Sequence, residues 1–159
     1  MTPANFNAPG QIVIAGHTAA VQRAIEGAKA RGAKRAVLLP VSVPVHSSLM
    51  RGAAERLSTR LKGVDIRKPR IRFISAVDVA PHDDPADLHE LLVRQLPSPV
   101  RWWDTVRALT ATGIAQLIEC GPGKVLTGLI KRIAPEAEIL SADDPTTYDR
   151  LTDLAGVPA

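Results

Sequence analysis

A single cysteine, Cys120, is all the thiol chemistry this chain holds. It excludes an internal disulfide and suits a reducing compartment, so a cytoplasmic location is expected. Trp, Tyr and Phe together make up only 3% of the residues, so a core must be built from Ala, Val, Leu and Ile. No apolar run approaches the roughly eighteen residues of a membrane span, and the N-terminus lacks a basic-then-apolar leader pattern. No membrane association is therefore expected. The chain also has no Gly-x-Ser-x-Gly, the turn that presents a hydrolase-type serine.

What is present suits a small globular protein. The 159 residues are 45% hydrophobic, enough to bury one core, and thirteen prolines cut the chain into short elements. The net charge of +4 mildly favours acidic partners, but the basic residues are spread over most helices, so no nucleic-acid partner is expected.

The elements alternate. Gln11–Ala15 reads as a short strand. Val21, Ala24, Ile25 and Ala28 follow at helical spacing up to Gly32. Arg35–Val43 predicts a second strand, and Leu49, Ala53, Leu57 and Leu61 a second helix. Ile71–Ala76 predicts a strand, and Pro85 opens a helix with Leu88, Leu91, Leu92 and Leu96 on one face. A helix over Arg101–Thr112, a strand over Gln116–Glu119, a helix through Val125–Ile133, a strand at Glu138–Leu140 and a terminal helix complete the series. Alternation of this kind argues for α/β architecture with mostly parallel pairing.

The segment from Pro40 to Met50 stands out. Pro40 and Pro44 stiffen a loop that holds His46 between a strand and a helix start. An imidazole there is a candidate general base, since its ordinary pKa lies near neutrality. A lone histidine near a helix start also serves structure, with Ser47 or Ser48 capping the helix but no capping box. Gly16-His17-Thr18 lacks the serine and closing glycine of a nucleophile elbow, so Thr18 is expected to cap the first helix. Gln95 lies seven residues beyond Leu88 on the leucine face, where a buried amide needs partners as a helix-end cap or as a site residue. Gly121-Pro122-Gly123-Lys124 sits between strand and helix like a phosphate loop, yet Val125 follows where Ser or Thr is needed. Close strand-to-helix packing accounts for the glycines equally well. His82, Asp83, Asp84, Asp87 and His89 match no metal-site spacing and read as a solvated loop with a helix cap. Cys120 reads as a small core residue.

Several blocks together resemble malonyl-CoA:acyl carrier protein transacylases. They are Asn5–Gly16, Gly32–Arg35, Pro40–His46, Leu92–Leu96 and Glu119–Gly128, in the family's order and at its intervals. The resemblance runs to about Ile133 and covers only the C-terminal part of such an enzyme. It implies an α/β fold: part of a hydrolase-like parallel sheet of the large subdomain, with the closing β-α-β part of a ferredoxin-like small subdomain. Residues 1–43 would belong to the small subdomain and 44–159 to the large one.

The family's reaction, a step of fatty acid biosynthesis, is a ping-pong transfer. A serine takes malonyl from malonyl-CoA and passes it to the phosphopantetheine thiol of acyl carrier protein. The resemblance implies that His46 is the catalytic histidine and that the main-chain carbonyl of Gln95 orients it. Asn7 would lie near the substrate cleft. No metal or resident cofactor is implied, since malonyl-CoA and the carrier's phosphopantetheine are substrates. The serine elbow, the N-terminal oxyanion segment and the carboxylate-binding arginine have no counterpart here, and Met1-Thr-Pro-Ala4 reads as continuing sequence. The expectation is a fragment inactive alone, with sheet edges left open for the missing N-terminal half. Two alternatives are an obligate subunit of a split acyltransferase, paired with that half as a separate chain, and a non-catalytic module that binds acyl carrier protein. A nucleotide-binding α/β domain comes last.

Overall fold

The computed structural model describes residues 1–155. Strands β1 (Thr2–Ala8) and β2 (Gln11–Ala15) form one two-stranded sheet, joined by Pro9-Gly10. A two-residue link joins antiparallel neighbours, and Gly10 takes the left-handed conformation with φ +71°. Helix α1 (Thr18–Ala30) follows. Its N-cap is His17 rather than Thr18: the His17 carbonyl accepts the Ala20 and Val21 amides, and no side chain caps the end. The expected cap was therefore one residue too late.

Arg35–Val43 does not form the expected strand. A strand exists through its ladder, and no neighbouring chain runs beside this one among the described residues. The backbone closes only tight local turns, Val41 N–H to Leu39 and Val45 N–H to Val43, both at 2.8 Å. Its apolar side chains lie open: Leu38 is 65% and Val41 61% exposed.

A 3-10 turn (Ser48–Met50) leads into α2 (Arg51–Leu61), which packs on α3 (Pro85–Arg94). Asp84 caps α3 by accepting the Ala86 amide at 2.8 Å, with Pro85 at the first helical position. The strand expected at Ile71–Ala76 shrinks to β3 (Phe73–Ile74). It pairs antiparallel with β4 (Pro81–His82), which sequence pattern did not reveal.

Helix α4 (Trp102–Ala111) precedes β5 (Gln116–Glu119), α5 (Val125–Ile133) and β6 (Glu138–Ser141). β5 and β6 pair in parallel, with Leu117 opposite Ile139 and Ile118 opposite Leu140. A helical crossover is what a parallel pair requires, and α5 supplies it. A 3-10 turn (Pro145–Thr147) and α6 (Tyr148–Ala155) follow. Among the described residues no helix is long and apolar enough to cross a membrane.

The chain divides into two compact units: Met1–Asn7 with Gln11–Trp102, and Ala8–Gly10 with the chain from Trp103 on. The second has an aliphatic centre of Val106, Leu129, Ile130, Ala134 and Leu140. The first buries mainly small groups, Ala4, Ala54, Ser47 and Ser75 beside Leu91.

Candidate functional site

His46 lies in the first unit, on the loop that Pro44 leads into. Its backbone has φ +59°, a left-handed conformation uncommon for a residue with a Cβ, costing on the order of 1–2 kcal/mol. Surrounding bonds hold it there. The His46 amide donates to the Leu96 carbonyl at 2.9 Å, and the Ser47 hydroxyl donates to the Pro44 carbonyl at 2.6 Å. Ser47 is thus buried and serves the turn instead of capping the helix with its side chain.

The imidazole is oriented from one side. His46 Nδ1 lies 2.9 Å from the Gln95 carbonyl and 3.1 Å from the Ser98 carbonyl. Carbonyls only accept, so Nδ1 carries the hydrogen and donates to both. The neutral ring then presents an unprotonated Nε2, the form a general base requires.

Gln95 is the C-cap of α3 and is exposed. Its side chain does not sit in an apolar face; its main-chain oxygen does the orienting. Residues 95–101 act as a hub. Val100 bonds to β1 through Phe6 N–H to Val100 and Val100 N–H to Ala4, each 2.9 Å, and Arg101 N–H reaches Ala76 at 2.8 Å. Asn7 is half-buried near the end of β1. Among the described residues no hydrogen bond joins it to His46 or Gln95. The Ser98 carbonyl escaped sequence reasoning, which offers no side-chain signal for a main-chain acceptor.

Among the hollows on the first unit's surface, one is lined by Arg51, Ala54, Glu55, Ser58 and Val93, and another by residues of the 68–72 segment with Pro81, His82 and Asp83. Neither of these includes His46.

The glycine-rich loop, in the second unit, works differently from a phosphate cradle. Glu119, buried at the end of β5, places its carboxylate on the start of α5. It accepts the Leu126 amide at 2.9 Å, the Thr127 amide at 2.7 Å and the Thr127 hydroxyl at 2.6 Å. Burial pushes this carboxyl up, but the bonds from Thr127, Leu126 and Val125 outweigh it and hold it below its ordinary 4.5. The anion at this helix N-terminus is the protein's own. Lys124 pairs with Asp144 at 2.8 Å, and Gly123 N–H donates to Asp143 at 2.9 Å. Gly123 has φ +87° with nothing within 4 Å of where a Cβ would stand, so conformation and not close packing calls for glycine.

Cys120 is exposed, contrary to the core position expected. His82 is not simply solvated: its side chain, 15% exposed, meets Asp78 and Asp87. Among the described residues no group of three or more His, Cys, Asp or Glu side chains is arranged to hold a metal ion.

Comparison with known proteins places these features in a family context. The model of the acyl transferase domain matches residues 1–144. The malonyl CoA-acyl carrier protein transacylase of Salmonella typhimurium is 47% identical over 145 residues, covering 91% of this chain and 47% of that protein. The acyl carrier protein S-malonyltransferase of Vibrio cholerae superposes with a TM-score of 0.90 at 48% identity, over 94% of this chain and 49% of that one. A malonyl-transacylase solved in complex with its type II PKS acyl-carrier protein superposes with a TM-score of 0.90 at 45% identity, over 97% and 49% of the two chains. The chain spans about half the length of the curated relatives it matches.

Proposed function

The chain belongs to the acyl transferase domain family, and we propose that it supplies the general base of a malonyl-CoA:acyl carrier protein transacylase whose serine lies outside these 159 residues. The observation that carries this reading is His46, with Nδ1 committed to the Gln95 and Ser98 carbonyls and Nε2 left for proton transfer. Nε2 would take the serine proton as the hydroxyl attacks the malonyl thioester. It would then return that proton to the departing coenzyme A thiolate, leaving a serine ester. In the second half the phosphopantetheine thiol of acyl carrier protein would give its proton to Nε2 and attack the ester. Nε2 would pass that proton to the departing serine oxygen, leaving malonyl on the carrier thiol and the serine hydroxyl restored. Gln95 and Ser98 keep Nδ1 protonated and the ring in one orientation throughout, and Asn7 is assigned to the substrate cleft. No resident cofactor takes part. The subdomain division at residues 43 and 44 and a cytoplasmic setting belong to the same proposal.

Alone, the chain is proposed to be inactive. A base without nucleophile or oxyanion donors lacks the largest contributions to rate, with one donor alone worth roughly 10²–10³. The exposed apolar run of Val37, Leu38, Leu39, Val41 and Val43 supports a covering polypeptide that carries the rest of the fold, either joined to this chain or separate from it.

The test is complementation. This chain is mixed with the Gly-His-Ser-x-Gly half of a transacylase, and malonyl transfer from coenzyme A to acyl carrier protein is followed. Transfer by the pair, absent from either part and lost in His46→Ala, is expected. Transfer by this chain alone, no transfer by a pair shown to associate, or full transfer by the His46→Ala pair overturns the proposal.

A further inference from the structure

His82 stands outside the machinery just described, yet it joins two parts of the first unit that bear on it. Its Nε2 lies 3.2 Å from Asp78 in the turn between β3 and β4, and its Nδ1 lies 3.4 Å from Asp87 in the first turn of α3. Asp78 in turn reaches Arg94 in the last turn of α3 at 3.8 Å. Asp87 and Arg94 are seven residues apart and so share a helix face, with Glu90 between them, 3.5 Å from Arg94. The chain Asp87–His82–Asp78–Arg94 therefore runs along two turns of α3, and the next residue is Gln95.

The turn that carries Asp78 is itself held under strain. Val79 has φ +64°, a conformation rare for a β-branched residue. The Val79 amide donates to the Ser75 carbonyl at 2.8 Å, the Val77 amide to the Ser75 hydroxyl at 3.1 Å, and the Ala80 amide to Asp78 at 3.3 Å. Ser75 is buried, and beyond it Ala76 accepts the Arg101 amide. The turn thus holds residues 95–101 from both ends, through Arg94 and through Arg101.

We infer that His82 is a positioning residue: as a cation between Asp78 and Asp87 it braces α3 and sets the Gln95 carbonyl on which the His46 ring rests. The other charged groups around it do not replace it. Lys68 is paired with Asp83 at 2.7 Å, and Arg70 and Arg72 line the same hollow from the segment before β3. The Asp78 hydrogen bond raises His82 above its ordinary 6.5, burial opposes this, and Asp87 adds to the rise. For a group raised on folding, the brace is complete below about pH 6.5 and is lost as pH climbs through the raised value.

This inference rests on His46 as the base of the proposed transfer, but its test reads the ring and not turnover, so the two fail separately. The imidazole resonances of the full chain are followed by NMR from about pH 5.5 to about pH 8.5. The His46 signals are expected to shift at the midpoint that the His82 signals themselves show. His82→Gln and Asp78→Asn are expected to abolish that shift. His46 signals that do not respond at the His82 midpoint in the unaltered chain overturn the inference, even where a variant fails to fold. A response at that pH that survives in folded His82→Gln overturns it equally.

Discussion

The imidazole of His46 is oriented by the main-chain oxygen of Gln95, 2.9 Å from Nδ1, while the glutamine itself lies exposed at the end of α3. The identity of residue 95 therefore matters less than the path of its backbone. That separates two substitutions which a sequence comparison would treat alike.

Gln95→Ala keeps the carbonyl and removes only an exposed amide. Stability is expected to change by no more than about 0.5 kcal/mol, and kcat/KM of the complemented enzyme to stay near that of the parent. Gln95→Pro removes the amide that donates to Leu91 at 2.9 Å and forces a ring into the helix end. It is expected to lower transfer toward the level of His46→Ala, a loss of about 10²–10⁴. Steady-state kinetics on the three variants checks this, and equal damage from Ala and Pro would show that the side chain acts.

Glu119 gives the second unit a pH dependence. Its carboxyl is held below 4.5 in the folded chain, so its contribution is present above 4.5 and is lost as pH falls through the folded value. Glu119→Ala leaves the Leu126 and Thr127 donors without their acceptor, a loss of about 1–3 kcal/mol at neutral pH. Urea unfolding at neutral and acid pH is expected to show the gap between parent and Glu119→Ala narrowing under acid. A gap that stays constant would mean the carboxylate charge contributes nothing.

Cys120 precedes the glycine-rich loop and is exposed. The native chain is expected to react with a thiol reagent such as dithiobis-nitrobenzoate at one site without denaturant, at a rate near that of the unfolded chain. Protection until urea is added would place the thiol in the core after all.

Legibility of the fold tracked the size of the side chains that carry each signal. The leucines of α3 and the Val-Leu-Leu-Ile pattern of α5 mark their helices because large groups recur at helical spacing. β1 gave no such sign: the residues it buries are Ala4 and Ala8, and Pro3 and two asparagines argue against a strand. β4 is two residues long and begins with proline, so no periodicity could reveal it. At the candidate site, His46 showed itself through its prolines and Gln95 through its place on the leucine face, while the family resemblance supplied the role of the Gln95 carbonyl. Ser98 and Glu119 act through a carbonyl and a long-range cap, and neither leaves a local pattern.

Arg35–Val43 is the instructive failure, and it carries the last prediction. Its Ala-Val-Leu-Leu core has the composition of a buried strand, yet no neighbour pairs with it among the described residues and Leu38 and Val41 stand open to water. Sequence pattern reported what the segment is suited to, not what the described residues supply to cover it. An apolar, unpaired segment recruits either another copy or a proper complement. Leu38→Lys with Val41→Lys is therefore expected to lower dye binding and aggregation of the isolated chain. The same pair is expected to weaken association with the Gly-His-Ser-x-Gly half, read by size-exclusion chromatography and loss of complemented transfer. Since neither residue is a hydrogen-bond partner of His46, any activity lost should return at high concentration of the complementing half. If aggregation falls while association and transfer are untouched at every concentration, the segment is a liability of the isolated chain and not a docking surface.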